Sequence, residues 1–414
     1  MKLGKIRVNI LLTALAVMVF SGCVGIPDSQ GWRSGQKSDF LEILETDKYA
    51  SICNEQDLYA KVKSSQSSTL MTKLLVAYTE NLANGCIVDP IVQSEVHGKK
   101  VTDYGVYRQK VSASDIQLKL KAGESIEKIL KPYVPQYVQF PKLVSHYNAL
   151  TKQGASKAAL AKKVHLNIER IKLMKPDIGT HYAIVNIPEF KVHLIEKDKT
   201  AVSMAVVVGK KSLKTPIFSS DLSYITLNPQ WSVPDSIARH EVIPGILKDP
   251  NYLTKKRMVM RKDYNLKSKA LTPSSVNLAA YKGGKGPVPF KFIEVPSKKN
   301  GLGRVKFIFP NRHNVYMHDT QSKHLFKRKV RTYSHGCVRL SQPHVMLDYV
   351  AKNYTTASPE EVKEDYDSLE THYIKIKKRL AVHTAYFTTY VDDSGKLTVF
   401  PDIYGYDKAQ KLNF

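Results

Sequence analysis

Acidic residues are in short supply in this chain. Asp and Glu number 37 against 63 Lys and Arg, which leaves a formal net charge of +26. So large a deficit of negative charge points to an anionic partner: nucleic acid, a membrane surface or a cell-wall polymer. A long apolar run is also lacking. The most hydrophobic stretch, ILLTALAVMVF (10–20), is too short for an ordinary transmembrane helix. Cysteine is scarce, with four residues in 414 (Cys23, Cys53, Cys86 and Cys337), so each one needs a reason. No internal repeat is present. What remains is ordinary for folded domains: 43% hydrophobic and 9% aromatic residues, over a length with room for two or three domains.

The N-terminus narrows the choice of partner. Lys2, Lys5 and Arg7 precede the apolar run, and Ser21-Gly22-Cys23 closes it. That order of basic, apolar and small residues is the pattern of an export signal, predicted to span 1–22. Phe20-Ser21-Gly22-Cys23 resembles a bacterial lipobox, which implies cleavage before Cys23 and lipid attachment there. Export removes nucleic acid as a partner and opens an oxidising compartment. Periplasmic placement on a lipid anchor is then expected; Val24 and not an aspartate follows Cys23, which by resemblance to enterobacterial lipoprotein sorting implies the outer membrane rather than the inner. Cys53 and Cys86 are the economical disulfide pair, worth roughly 3–4 kcal/mol in the chain-entropy model. Two separately buried thiols are the alternative. Either way Cys337 is left as a free thiol.

Along the chain, 23–40 is polar and reads as a tether, and 41–179 as a mainly helical region. Within it TLMTKLLVAYTENLA (69–83) is an amphipathic helix. Leu160, Val164, Ile168 and Ile171 recur at helical spacing until Lys175-Pro176. The period then changes. YAIVNI (182–187), FKVHLIE (190–196), AVSMAVVVG (201–209), RVKFIF (304–309) and NVYMH (314–318) read as strands of a β-rich domain over 180–352. Its middle, about 240–300, is basic and punctuated by Gly and Pro, and is expected to be a lid. The remainder, 353–414, is expected to pack on that domain and to hold a hairpin turned at 392–395.

The chemistry concentrates in RTYSHGCVRL (331–340). A thiol becomes an efficient nucleophile when an imidazole takes its proton or a positive field favours the thiolate. His318 and His335 are the candidates. His335 either takes part in this or braces the turn by hydrogen bonding. Gly336 permits a tight backbone, and the amides of Gly336 and Cys337 are candidates for an oxyanion hole. A second reading takes His313, His318, His324, His335, Cys337 and His344 as a zinc-ligand window of a cell-wall peptidase. No compact zinc signature is present there, so no metal and no cofactor are expected.

The pattern H-x15-S-H-G-C-V-R, from His318 to Arg339, resembles the signature of the L,D-transpeptidases, the YkuD-type catalytic domain. Longer segments, including TPIFSSDLSYITLNPQWSVPDSIARHEVIPGILKDPNYL (215–253), NGLGRVKFIFPNRHNVYMHDT (300–320) and DIYGYD (402–407), look like its large periplasmic YcbB-type branch, which carries a lid. The resemblance implies an α+β protein, its catalytic domain mainly β-sandwich-like with a lid insertion, behind a mainly helical N-terminal region. It implies Cys337 as nucleophile on peptidoglycan stem peptides and His318 as the proton-moving histidine. Ser334, Gly336, His335 and Asp319 are expected to orient groups or bind the oxyanion, Asp319 as the neighbour whose backbone carbonyl stands near His318. Arg339, Tyr316 and Trp231 match substrate-side positions. D-Alanine would leave, and the amine of a second stem would take the acyl group in a 3→3 crosslink. Water as acceptor would make the protein an L,D-carboxypeptidase, and a protein lysine would attach or release wall-bound protein.

Overall fold

The computed structural model describes residues 27–87, 93–96, 99–102 and 107–412. The export segment and Cys23 lie outside them. Seven helices build the N-terminal region: α1 Ser34–Glu45, α2 Gln56–Ser65, α3 Ser68–Asn84, α4 Ala113–Lys121, α5 Ile126–Leu130, α6 Gln139–Thr151 and α7 Ala158–Lys172. Folded structure begins earlier than expected. Trp32 is only 1% exposed, and its indole N–H donates to Thr72 Oγ1 at 2.9 Å. Phe40 packs edge-on against Tyr78 in the same core. Residues 27–40 are therefore not a tether: two aromatic anchors, Trp32 and Phe40, fix this polar stretch to the helical core.

Cys53 and Cys86 form a disulfide, with Cα atoms 6.2 Å apart, tying the start of α2 to the end of α3. Beside it lies a buried polar cluster on α7. Lys172, wholly buried, donates to Glu169 Oε1 at 2.6 Å, to the Ala50 carbonyl at 2.6 Å and to Ser51 Oγ at 3.1 Å. Glu169 also accepts from the Cys86 amide and pairs with His165. Burial alone would raise the Glu169 pKa, but Lys172 and His165 together hold it below its ordinary value. Helix α7 is buried from Val164 through Lys172, because it is enclosed by helices on one side and by the β-sheet on the other.

Beyond a short antiparallel pair at Gln93–Val96 and Lys99–Thr102, the strands are β1 His181–Asn186, β2 Lys191–Glu196, β3 Lys199–Gly209, β4 Phe218–Asp221, β5 Tyr224–Leu227, β6 Trp231–Ser232, β7 Met258–Arg261, β8 Ala270–Leu271, β9 Lys291–Glu294, β10 Val305–Ile308, β11 Met317–His318, β12 Thr332–Ser334, β13 Val338–Leu340, β14 His372–Lys375, β15 Ala381–Ala385, β16 Thr389–Val391 and β17 Leu397–Val399. One eleven-stranded sheet runs β14-β5-β10-β11-β13-β3-β2-β1-β15-β4, with β12 paired to β3. Its central strands are buried on both faces, which explains why YAIVNI does not alternate. Ala183 and Val185 join one core with Met317 and Val338, while Tyr182 and Ile184 join the helical core on the other side. The α+β expectation of a mainly β domain behind a helical region is borne out.

Two boundaries differ from the sequence reading. Strands β14 and β15 are members of the main sheet, so 353–414 completes the domain instead of lying on it. Helices α8 Pro343–Tyr354 and α9 Pro359–Asp367 connect β13 to them. The lid is longer and more organised than a loop. Its sheet, β8-β7-β9-β6, spans 231–294 and covers an apolar core that includes Val233, Val242, Ile243, Met260, Phe290 and Phe292. Basic, Gly/Pro-punctuated composition concealed that core. The hairpin β16–β17 is present, with Thr389 opposite Val399.

Candidate active site

Strand alternation assembles the site. β11 and β13 pair in parallel, Met317 opposite Val338 and His318 opposite Arg339. Met317 and Val338 are fully buried in the core. Side chains alternate along a strand, so Tyr316 and His318 share the opposite face with Cys337 and Arg339. The Val338 amide donates to the Tyr316 carbonyl at 3.0 Å, which carries the pairing back to the Tyr316–Cys337 level. β10 lies on the other flank of β11 and places Lys306 opposite His318. Lys306, His318 and Arg339 thus form one row across three strands, with Tyr316 and Cys337 next to it.

His318 is buried, and its Nδ1–H donates to the Asp319 backbone carbonyl. A carbonyl only accepts, so this bond assigns the ring proton to Nδ1 and leaves Nε2 as the proton acceptor. Burial, with the positive charge of Arg339 adding to it, pulls the His318 pKa down to about 3, although the carbonyls of Asp319 and Leu302 oppose this. The Asp319 carboxylate serves elsewhere. It accepts from the Thr320 amide at 2.7 Å, the Arg304 amide at 3.0 Å and Lys323 Nζ. Gly303, at φ +67°, lies so close that a Cβ there would meet this carboxylate at 2.2 Å.

Cys337 is the free cysteine among the described residues and is half-buried. Its thiol lies 3.9 Å from the Asn314 carbonyl. Burial pushes its pKa up, while the Tyr316 backbone and hydroxyl, Lys306 and Arg339 pull it back. Tyr316 meets the His318 ring edge-on at 5.5 Å, and Lys306 Nζ sits 4.0 Å from the Tyr316 ring centroid. Burial lowers the Lys306 pKa, and only the charge of Cys337 acts against that. The His318 imidazole and the Cys337 thiol are thus both held toward their neutral forms. The arrangement suits a thiol deprotonated by an imidazole as it attacks, not a standing thiolate–imidazolium pair.

Ser334 shapes the turn that carries Cys337. Its hydroxyl donates to the Cys337 carbonyl at 2.5 Å and accepts the Gly336 amide at 3.1 Å. The Gly336 carbonyl accepts from Thr215 Oγ1 at 2.8 Å, and Gly336 itself sits at φ +115°, a conformation that favours glycine. Of the two amides expected to bind an oxyanion, that of Gly336 is thus engaged by Ser334. His335 points outward and pairs with Glu241 of the lid, Nε2 to Oε1, at 2.7 Å. Trp231 stands at the root of the lid, in β6 opposite Glu294, and packs over Gly301. It belongs to the lid's core margin.

The zinc-window histidines do not converge. His313 packs on Phe218, His344 bonds to Tyr366, and His324 sits in the turn 323–327. Among the described residues, the one group of three metal-type ligands is Cys53, His165 and Glu169, whose thiol is already in the disulfide.

Lys306, Asn314 and Glu241 were missed in the sequence. Lys306 had a signal: it is the outward position in RVKFIF, beside a strand carrying a candidate base. Glu241 had none.

Residues 180–358 match the family model of the YkuD L,D-transpeptidase catalytic domain. A Haemophilus influenzae protein named "Putative L,D-transpeptidase" is 25% identical over 392 residues, covering 89% of this chain and 76% of its own. An L,D-transpeptidase from Mycobacterium smegmatis aligns at 13% identity and TM-score 0.22, over 49% of this chain and 58% of that one. An Enterococcus faecium L,D-transpeptidase aligns at 10% identity and TM-score 0.21, over 75% of this chain and 82% of its own. The chain thus spans little more than half of the Mycobacterium smegmatis enzyme. The family resemblance read from the sequence is borne out for the catalytic domain by the family model and the Haemophilus relative.

Proposed function

We propose that this chain, which carries an L,D-transpeptidase catalytic domain over 180–358, forms 3→3 crosslinks in peptidoglycan as a lipid-anchored, exported member of the YcbB-type branch. The observation that carries this reading is the pairing of β11 with β13, with carbonyl-oriented His318 and Cys337 on one face. In the first half-reaction His318 Nε2 takes the Cys337 thiol proton as sulfur attacks the carbonyl between the third residue of the stem and its terminal D-alanine. The C–N bond breaks, D-alanine leaves with the proton from His318, and a thioester remains. In the second, the amine of another stem forms the new C–N bond, the C–S bond breaks, and the thiol is restored. Arg339 and Lys306 supply positive charge beside the site, suited to the stem carboxylates.

The Cys53–Cys86 disulfide supports export to an oxidising compartment, which is also the reading of the N-terminal segment. Purified disaccharide-tetrapeptide incubated with the protein tests the proposal. Mass spectrometry should find a 3→3 dimer, released D-alanine and a thioester on Cys337. A product that is tripeptide alone would assign an L,D-carboxypeptidase, and no thioester would remove the proposal.

A further inference from the structure

The groups around Cys337 suit the donor stem better than the acceptor. Lys306 and Arg339 flank His318 in one row across three strands, next to Cys337, and both are basic side chains. At neutral pH the acceptor amine arrives as an ammonium, which this field repels. A carboxylate within reach of the motif would reverse that locally. The lid supplies one. Glu241 pairs with His335, two residues before the nucleophile, and its charge acts on Arg339 on the site face. Its side chain is 49% exposed, so a soluble amine can reach it.

Glu241 is the lid acid that pairs with a residue of the RTYSHGCVRL segment. Ala238–Val242 is a turn of π-helix, with Ala238 and Val242 buried in the lid core. Such turns reset the angular spacing of side chains and often occur at functional positions. Arg239, two residues from Glu241, is directed away from it. Its guanidinium donates to the carbonyls of Tyr281, Gly283, Gly286 and Pro287 within the lid. The neighbouring acids are engaged within the lid, Asp235 with Lys291 at 2.6 Å and Asp249 with Lys255 at 2.7 Å. Glu241 is left to face the nucleophile motif.

We propose that Glu241, held by His335 at the entrance to the Cys337 site, receives the cationic amine of the acyl acceptor and selects it over water. This rests on the acyl-transfer reading above and adds the residue that chooses the second substrate. The acceptor ammonium docks on the carboxylate and gives one proton to the Glu241–His335 pair, which releases it to solvent. The neutral amine attacks the thioester, C–N forms as C–S breaks, and the second amine proton returns to the Cys337 sulfur through His318. Two protons leave the ammonium: one restores the thiol and one enters solution.

The test is the fate of the thioester. Full-length protein, Glu241→Gln and Glu241→Asp are each incubated with purified disaccharide-tetrapeptide, and the ratio of crosslinked dimer to hydrolysed tripeptide is measured by mass spectrometry. Glu241→Gln should lower the ratio roughly tenfold, the scale of one charged hydrogen bond. Glu241→Asp should restore part of it, because a carboxylate returns. His335→Gln should lower it as well, by releasing Glu241. An unchanged ratio in Glu241→Gln, with slower turnover into both products, would make the pair a structural latch and overturn the proposal. Absence of any thioester on wild-type Cys337 would instead refute the acyl-transfer reading on which it stands.

Discussion

An imidazole that stays neutral far below its usual range gives the site an unusual tolerance of acid. His318 is held down to about 3 by burial and by Arg339. At pH 5 an ordinary imidazole, with a pKa near 6.5, would be only about 3% neutral, whereas one near 3 would be about 99% neutral. The first-order rate of Cys337 acylation by a carbapenem, followed by mass spectrometry, should therefore stay level from pH 7 to pH 5. An ordinary histidine base would lose about 25-fold over that interval. The same depression links stability to pH. The unfolded chain takes up the His318 proton near 6.5, while the folded chain resists it until about 3. Between those values the unfolded state binds more protons, so stability is full above about pH 6.5 and falls as pH drops toward 3. His383, also buried and lowered to about 4, acts in the same direction. An acylation rate that collapsed with a midpoint near 6.5, in protein still folded by circular dichroism, would show that His318 ionises as in water. The reasoning from its burial would then be wrong.

Cys337→Ala should abolish dimer formation and the carbapenem mass shift while leaving the melting curve in place; His318→Ala should slow acylation by about 10²–10⁴-fold, the usual scale for general acid–base help. Lys172→Met should destabilise the protein by about 3–5 kcal/mol in urea titration, since it strands Glu169 without its cation in a buried site; the further change Glu169→Gln should recover part of that loss. Lys256, Lys262 and Lys267 are exposed on the lid, so replacing all three by Ser should lower kcat/KM on stems and weaken its salt dependence, and unchanged kinetics would make them a solvated face. Arg257 is left out of that set because it bonds to the Glu294 carboxylate and the Lys299 carbonyl, which makes it part of the lid's frame.

The legible part of the sequence was local. Strand alternation in RVKFIF and NVYMH, helical spacing through Ile171 and the spacing of His318 from Cys337 all survive in the structure. What escaped depends on contacts distant along the chain. Trp32 reads as one aromatic in a polar stretch until Thr72 bonds to it. HYIK (372–375) and AVHTA (381–385) are too short to announce themselves as sheet members, and only pairing with β5 and β1 defines them. The spending of the Gly336 amide on Ser334 requires a turn whose shape no pattern specifies. Glu241 meets His335 only because the lid folds around its own core.

The place of β15 in the sheet has a consequence for how the protein is made. Its parallel partner β1 lies two hundred positions earlier, with Ala381 beside Tyr182 and Ala385 beside Asn186. Pairings of such separation must close a very long loop before they return any stabilisation, and high contact order slows folding accordingly. The main sheet cannot close between β1 and β4 until almost the whole chain has emerged, and until then β1 presents an open apolar edge. Late closure of this kind keeps a nascent chain loose, which is the condition a polypeptide must hold to be threaded through a membrane pore before it folds. A chain cut at residue 358, where the family match stops, would lose that closing strand and should be an aggregating fragment, not a minimal enzyme.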